Sequence, residues 1–435
     1  MKRKYSNSNN INGSKRRRSS LAYMRDIKID TNVIMQHEPG ILCTVGQGDI
    51  GQLGLGPDVL ELKKPRIVDF GENVSQVVCG GMHTVVLTVT NKLYTFGCSD
   101  EGALGRNILA ENETSTDADR TMECVPGIVK IPNSNKIIQI SAGDSHTAVL
   151  DCDGNVFMWG CFRDSSGVIG LIKESEIETK PIIMKFKKTI KISSGSNHIA
   201  LLTDNGEIYT AGAAEQGQLG RVAEYFVNRG GRKGIKNTLL NLQKIKVVGS
   251  KKIYFTDVWC GAFGTYAYSS NERLFAWGLN NFNQLGTDFN NNQFIPVEIN
   301  LPFEGKPNNI AVGQHHTLIS SQSGIVYSLG RYDYGRLGVG EKDMKREEFV
   351  HKPTKIDSSL LYTYIACGEI VSFAIDKSGK TYAWGMGTNG QLSQNDEEDI
   401  YSPTLMKGKN IVNRKCYAVS SGGQHTALIV SKDNI

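Results

Sequence analysis

The chain has 435 residues, 39% of them hydrophobic, with 47 glycines and a formal net charge of +5. No apolar run approaches the length of a membrane span, and the polar start has no apolar stretch of the kind that leads a secretory signal, so no membrane partner is expected. The charge is unevenly placed: residues 1–20 hold Lys2, Arg3, Lys4, Lys15, Arg16, Arg17 and Arg18 and no acid, which leaves the rest of the chain at −2.

Residues 1–36 are rich in Ser, Asn, Lys and Arg and poor in large apolar residues, and are expected to be a disordered basic tail. Its two basic clusters are spaced like a bipartite nuclear import signal, and a flexible basic arm also suits DNA phosphates through counterion release. Ser19 and Ser20 follow the arginines directly, where phosphorylation would weaken both uses.

From residue 41 onward one phrase recurs seven times, beginning at Gly46 (GQGDIGQLG), Gly97 (GCSDEGALG), Gly160 (GCFRDSSGVIG), Gly212 (GAAEQGQLG), Gly278 (GLNNFNQLG), Gly330 (GRYDYGRLG) and Gly385 (GMGTNGQLS). Spacings of 51 to 66 residues mark a repeat architecture. The phrases at Gly97, Gly160, Gly212 and Gly330 each follow a Gly-x-x-His segment, a short apolar strand, a turn such as Asp153-Gly154 or Asn205-Gly206, and a strand rich in aromatic and β-branched residues. These are hairpin signals, and units of some fifty residues made of short antiparallel strands indicate propeller blades. Residues 41–46 form a second strand with no partner before it, and residues 422–430 a first strand with none after it. The fold expected over residues 37–435 is therefore all-β, a closed seven-bladed β-propeller with one blade completed by both chain ends.

Chemistry-bearing patterns are few. Two Gly-x-Gly-x-x-Gly matches, at Gly46 and Gly385, open no helix and repeat a phrase whose siblings lack the middle glycine. Nine scattered cysteines suit neither a zinc site nor a disulfide framework, and no metal or cofactor is expected. Five histidines (His83, His146, His198, His316, His425) stand three residues after a repeat glycine and read as buried imidazoles bonding backbone within their blades. His315 beside His316 and Asp144 beside Gly143 break that pattern on what should be one face of the ring. The third phrase is the outlier: Cys161-Phe162-Arg163-Asp164-Ser165-Ser166 separates Gly160 from Gly167, two residues more than in its siblings, enough to push out a small loop. Two insertions carry opposite charge, residues 107–123 at −4 and residues 221–252 at +8, and the basic one favours an anionic partner.

The phrases GQGDIGQLGLG, CGGMHTVVL, WGCFRDSSGVIGL, NRGGRKG, YGRLGVG and SSGGQHTALIV resemble the regulator of chromosome condensation family over residues 38–432. That resemblance implies a monomeric, chromatin-bound guanine nucleotide exchange factor for the small nuclear GTPase Ran, one that performs no covalent chemistry. It places a wedge on Arg163, Asp164, Ser165, Ser166 and Gly167, and Ran-facing polar residues on Asp49, Asp144, Arg163, His315 and His425. It also implies a nucleosome-contacting loop at 221–236, with Arg229 and Arg232 for the histone acidic surface, and a nuclear import receptor as partner of the tail. Two positions depart from the family: Asn197 stands for an aspartate, and Lys173, with Glu174 one place later, for an acid. The departures leave a chromatin-binding propeller with weak or lost exchange as the alternative.

Overall fold

The computed structural model describes residues 37–108, 121–227, 232–249, 252–340, 349–394 and 396–433. Their strands form seven four-stranded antiparallel sheets, plus one two-stranded ribbon. In chain order the blades start from innermost strands Val74–Cys79, Ile137–Ala142, Thr189–Ser194, Phe255–Cys260, Asn309–Val312, Tyr362–Cys367 and Cys416–Ser421. Each of these follows the outer strand of the preceding blade, so the Gly-x-x-His strand expected to be innermost is in fact second from the axis.

The seventh blade closes the ring as expected, but with two strands from each chain end rather than one. Ile41–Gln47 pairs with His425–Val430 in unbroken register from Ile41↔Val430 to Gly46↔His425. Apolar clusters fill the gaps between neighbouring blades; one joins Cys43, Val45, Phe373, Leu392 and Leu428 across the closing blade and its neighbour.

The repeated motifs have a common packing logic. The first glycine of every phrase has φ between +88° and +118°, which L side chains adopt rarely. A Cβ at Gly97 would lie 2.5 Å from the Met82 carbonyl oxygen, and one at Gly160 2.1 Å from that of Ser145. In Gly-x-x-His, the imidazole folds back on its glycine: a Cβ at Gly143 would be 2.1 Å from His146 Cε1.

The histidines are buried as expected, but their partners are side chains of the next blade, not backbone of their own. His83, His198, His316 and His425 each place Nε2 2.9 Å from the hydroxyl of Thr147, Thr265, Ser372 and Thr84, respectively. Those hydroxyls spend their one proton on a carbonyl of the Gly-x-Leu-Gly phrase before them: Thr147 on Ala103 (2.9 Å), Thr265 on Gln218 (3.0 Å), Ser372 on Arg336 (2.8 Å) and Thr84 on Gln52 (2.9 Å). The hydroxyl therefore accepts from the ring, so each imidazole carries a proton on Nε2. Where the fourth blade has Gly264 in place of a histidine, the Tyr266 hydroxyl supplies the link, 3.2 Å from Thr317 Oγ1 and 2.6 Å from the Gln284 carbonyl.

Burial lowers the histidine pKa values to about 4 for His83 and about 3 for His146, His198 and His425. The folded state thus refuses protons that the unfolded chain takes up near pH 6.5, so this contribution is complete above pH 6.5 and is lost as pH falls towards 4. Each such histidine should cost about 1 kcal/mol of stability between pH 7 and 5.5. Urea unfolding at the two pH values checks this, and His83→Gln should shrink the pH-dependent loss by that amount while lowering stability at pH 7.

Candidate functional site on the open face

The connections from phrase glycine to blade edge, and the residues just before each repeat histidine, lie on one face. The positions preceding the histidines (Met82, Ser145, Asn197, His315 and Gln424) are at or near this surface, although the histidines are wholly buried. The third residue past the phrase glycine is acidic four times: Asp49, Asp100, Glu215 and Asp333. One face of the ring is therefore rimmed with carboxylates.

The two extra residues of the third phrase form the ribbon. Phe162–Asp164 pairs with Gly167–Gly170 through Phe162↔Gly170, Arg163↔Val168 and Asp164↔Gly167, and Ser165 and Ser166 make its exposed turn. Phe162, fully buried against the His146 ring at 4.7 Å, anchors the base. The blade-to-blade link is missing here, as it is where Val371 replaces the histidine of the sixth blade: Ile199 occupies the position of the threonine and His146 has no hydrogen-bond partner. Asn197 bridges the gap: its Oδ1 accepts the Arg163 amide at 2.9 Å and its Nδ2 donates to Asp144 Oδ2 at 3.1 Å.

A cavity of about 650 Å³ lies beside the ribbon, lined among others by Glu101, Asp144, Arg163, Asn197, Glu215 and Glu369. Burial raises the Asp144 pKa against the pull of Ser196, Asn197 and Arg163. Burial also raises Glu369, and the Asp144 charge adds to it. Two carboxylates that hold their protons more tightly than usual gain most from a cation brought between them. Across the ring, His315 packs edge-on against Phe282 at 5.2 Å, and burial with Arg336 and Arg331 nearby lowers its pKa to about 4. It is a neutral hydrogen-bonding group at pH 7.

Asp144, Arg163, Asp164, Ser165 and Asn197 are thus brought together at this cavity. Asp49, held at 3.2 Å by Gln52 Nε2, and His315 share the face by repeat position but lie outside the cavity lining. His425 is a correction: at 0% exposure and bonded to Thr84, it belongs to the blade-to-blade links and presents nothing to the face. Its neighbour Gln424 does line the cavity. Glu101, Glu215 and Glu369 went unnoticed in the sequence, although Glu369 follows Gly368 as Asp144 follows Gly143, and Glu215 stands where Asp49 does in its own phrase. Lys173 and Glu174 form an exposed pair with each other at 3.2 Å.

The basic insertion is partly self-occupied. Arg221 turns inward onto the Thr210, Thr238 and Asn241 carbonyls, Lys244 pairs with Glu207 at 2.6 Å, and Lys236 with Glu176 at 3.0 Å. Arg232 opens the helix Arg232–Leu240; Arg229, Lys2, Arg3, Lys4, Lys15, Arg16, Arg17 and Arg18 lie outside the described residues. Among the described residues no group of three His, Cys, Asp or Glu side chains is placed to hold a metal ion.

The sequence pattern of the RCC1-like domain matches residues 41–428. The human regulator of chromosome condensation is 45% identical over 90% of this chain and 91% of its own length. The chain belongs to the regulator of chromosome condensation family. The guanine nucleotide exchange factor SRM1 of Saccharomyces cerevisiae is 29% identical, covering 87% of this chain and 85% of its own. A crystal structure of Prp20p from the same yeast, described with its binding to Gsp1p and histones, superposes with a TM-score of 0.82 at 26% identity, covering 94% of this chain and 95% of that one.

Replacing Asn197 by Ala removes both bridging bonds. Amide hydrogen exchange at Arg163 should accelerate about tenfold or more, while the amides of His198–Thr203 keep their protection and overall stability falls by only about 1–2 kcal/mol.

Proposed function

We propose that the chain is a guanine nucleotide exchange factor for the small nuclear GTPase Ran, held on chromatin in the nucleus. The observation that carries this reading is the ribbon 162–170 standing on a carboxylate-rimmed face, in a chain whose yeast relative is named an exchange factor. A protruding, water-exposed turn beside a cavity of acidic groups suits insertion into a partner's phosphate-binding region. There it would compete with the bound phosphates and magnesium while the carboxylates engage basic groups displaced from them. Exchange needs no covalent step. A factor that binds the nucleotide-free GTPase more tightly than the loaded one lowers the cost of nucleotide loss, and GTP re-enters by mass action.

On this reading Arg163, Asp164, Ser165, Ser166 and Gly167 act as the wedge, and Asp49, Asp144, Asn197 and His315 as docking groups around it. The basic tail 1–36 would serve import-receptor binding and DNA-backbone contact. The insertion with Arg229 and Arg232 would meet the histone acidic surface, in line with the histone binding described for Prp20p. Residues 37–435 would then be the one folded unit.

Asn197 favours a second reading, a chromatin-bound propeller with weak exchange, because an amide offers no charge to a lysine or arginine of the GTPase. Its amide hydrogens already serve Asp144, so an aspartate here would set two carboxylates against each other.

Release of labelled GDP from purified Ran tests both. Wild type should accelerate release by orders of magnitude, and deleting residues 163–166 should abolish this with the thermal transition retained. Stimulation only by Asn197→Asp would support the second reading, and none by either protein would end the exchange-factor assignment. For the tail, removing residues 1–36 should weaken DNA binding and flatten its dependence on log salt by about 0.9 for each phosphate that is no longer neutralised. An unchanged slope would leave the tail no role on DNA.

A further inference from the structure

The ribbon is too small to fix its own shape. Two strands joined by three residue pairs are marginal in water unless something packs against them. Within the ribbon, the turn has the Ser166 amide on Asp164 Oδ1 at 3.0 Å. Ser165 and the Arg163 side chain are held by carboxylates from the two neighbouring blades. Glu215, in the phrase of the third blade, accepts the Ser165 amide on Oε2 at 3.0 Å and the Ser165 hydroxyl on Oε1. Glu101, in the phrase of the first blade, pairs with the Arg163 guanidinium through Oε1 and takes the Ser145 hydroxyl on Oε2 at 2.9 Å.

We propose that Glu101 and Glu215 are positioning residues that clamp the ribbon from its two flanks and set the angle at which its tip meets the partner. The proposal rests on the exchange-factor reading for its kinetic consequence, but the clamp itself is a property of the free protein. One carboxylate receiving both the amide and the hydroxyl of a single residue leaves that residue little freedom to turn. The second carboxylate is itself tied to a hydroxyl, so the arginine it holds has a fixed resting place. Ordering the tip in advance removes a cost that would otherwise be met while the partner is being engaged, in the step that releases nucleotide. Neither glutamate belongs to the ribbon, and both stand at the level of the rim where the phrase leaves its blade.

The clamp makes different predictions from a simple docking contact. Loss of a docking group weakens binding and raises KM; loss of a positioning group leaves the surface intact and lowers kcat. Glu215→Ala should lower kcat for GDP release about tenfold with KM unchanged within about twofold, and Glu215→Gln should retain part of the activity because its amide oxygen still accepts one bond. In the free protein, the Ser165 amide should exchange with solvent about tenfold faster in Glu215→Ala, with the strand His198–Thr203 unaffected. Glu101→Gln, combined with Glu215→Ala, should deepen the loss in kcat. A rise in KM alone, or a Ser165 amide whose exchange rate does not change, overturns the clamp. Should wild type fail to stimulate GDP release at all, the exchange-factor reading falls, and the amide-exchange comparison still decides the clamp.

Discussion

One hydrogen-bond relay ties the ring at four of its seven joints: imidazole to hydroxyl to carbonyl, passed from one blade to the next. It links three segments distant in sequence, namely a repeat histidine, the hydroxyl residue that follows the next histidine position, and the middle carbonyl of a Gly-x-Leu-Gly phrase. Because the hydroxyl gives its proton to the carbonyl, the histidine must carry a proton on Nε2, and burial keeps the ring neutral. The same carbonyls take a second bond from the indoles of Trp159, Trp277 and Trp384 at 2.7, 2.9 and 3.0 Å, which locks the aromatic strand to the same point. The glycines follow from this requirement. His83, His198, His316 and His425 can fold into the relay only because the glycine three residues earlier has no side chain in the way.

The relay is broken at two joints, and the sixth blade, with Val371 in the histidine position, shows that its loss alone does not reshape a phrase. At the joint between the second and third blades it is absent, since Ile199 offers no hydroxyl and His146 is left without a hydrogen-bond partner. The released phrase of the second blade is the one that became a ribbon, whereas the Gly385 phrase of the sixth keeps the usual length. The joint keeps the inner-strand bonds that other joints have, the Asp144 amide on the Ser196 carbonyl at 2.7 Å and the Ser194 amide on Ser141 Oγ at 2.8 Å, and adds Asn197 between Arg163 and Asp144.

Much of this was legible in the sequence, and the limits have physical causes. Repeat spacing and hairpin turns sufficed for seven blades and for closure by both ends, because closure removes two open sheet edges whatever the side chains do. The innermost strands, such as Val74–Cys79, escaped notice because they carry no turn signal and precede the histidine segment that defines the repeat by eye. His425 was misread because a face residue and a core residue stand side by side there, and only the pleat separates Gln424 from His425. The ribbon could be inferred from two extra residues, but its supports could not. Glu101 and Glu215 lie 62 and 50 positions from their partners, and nothing in a single sequence joins them.

The charges of this face divide into two kinds. Asp49 and Asp100 stand out on the rim in high dielectric, where each contributes little alone but their sum attracts a basic surface and orients it, whereas Asp333 is already paired with Arg331 and Arg336. Asp144 and Glu369 sit lower, close enough that the Asp144 charge adds to the proton affinity of Glu369. There a partner's cation would be worth far more, because it relieves their repulsion as well as their burial. Asn197, between the ribbon and Asp144, adds no third charge to this pair. A third carboxylate would favour protonation of one of the three and would leave the Arg163 amide and Asp144 competing for a group without a donor. Neutrality at 197 spares the inner carboxylates a further like charge and keeps the ribbon's base tied down, so the missing charge is consistent with a working face, not only with a decayed one.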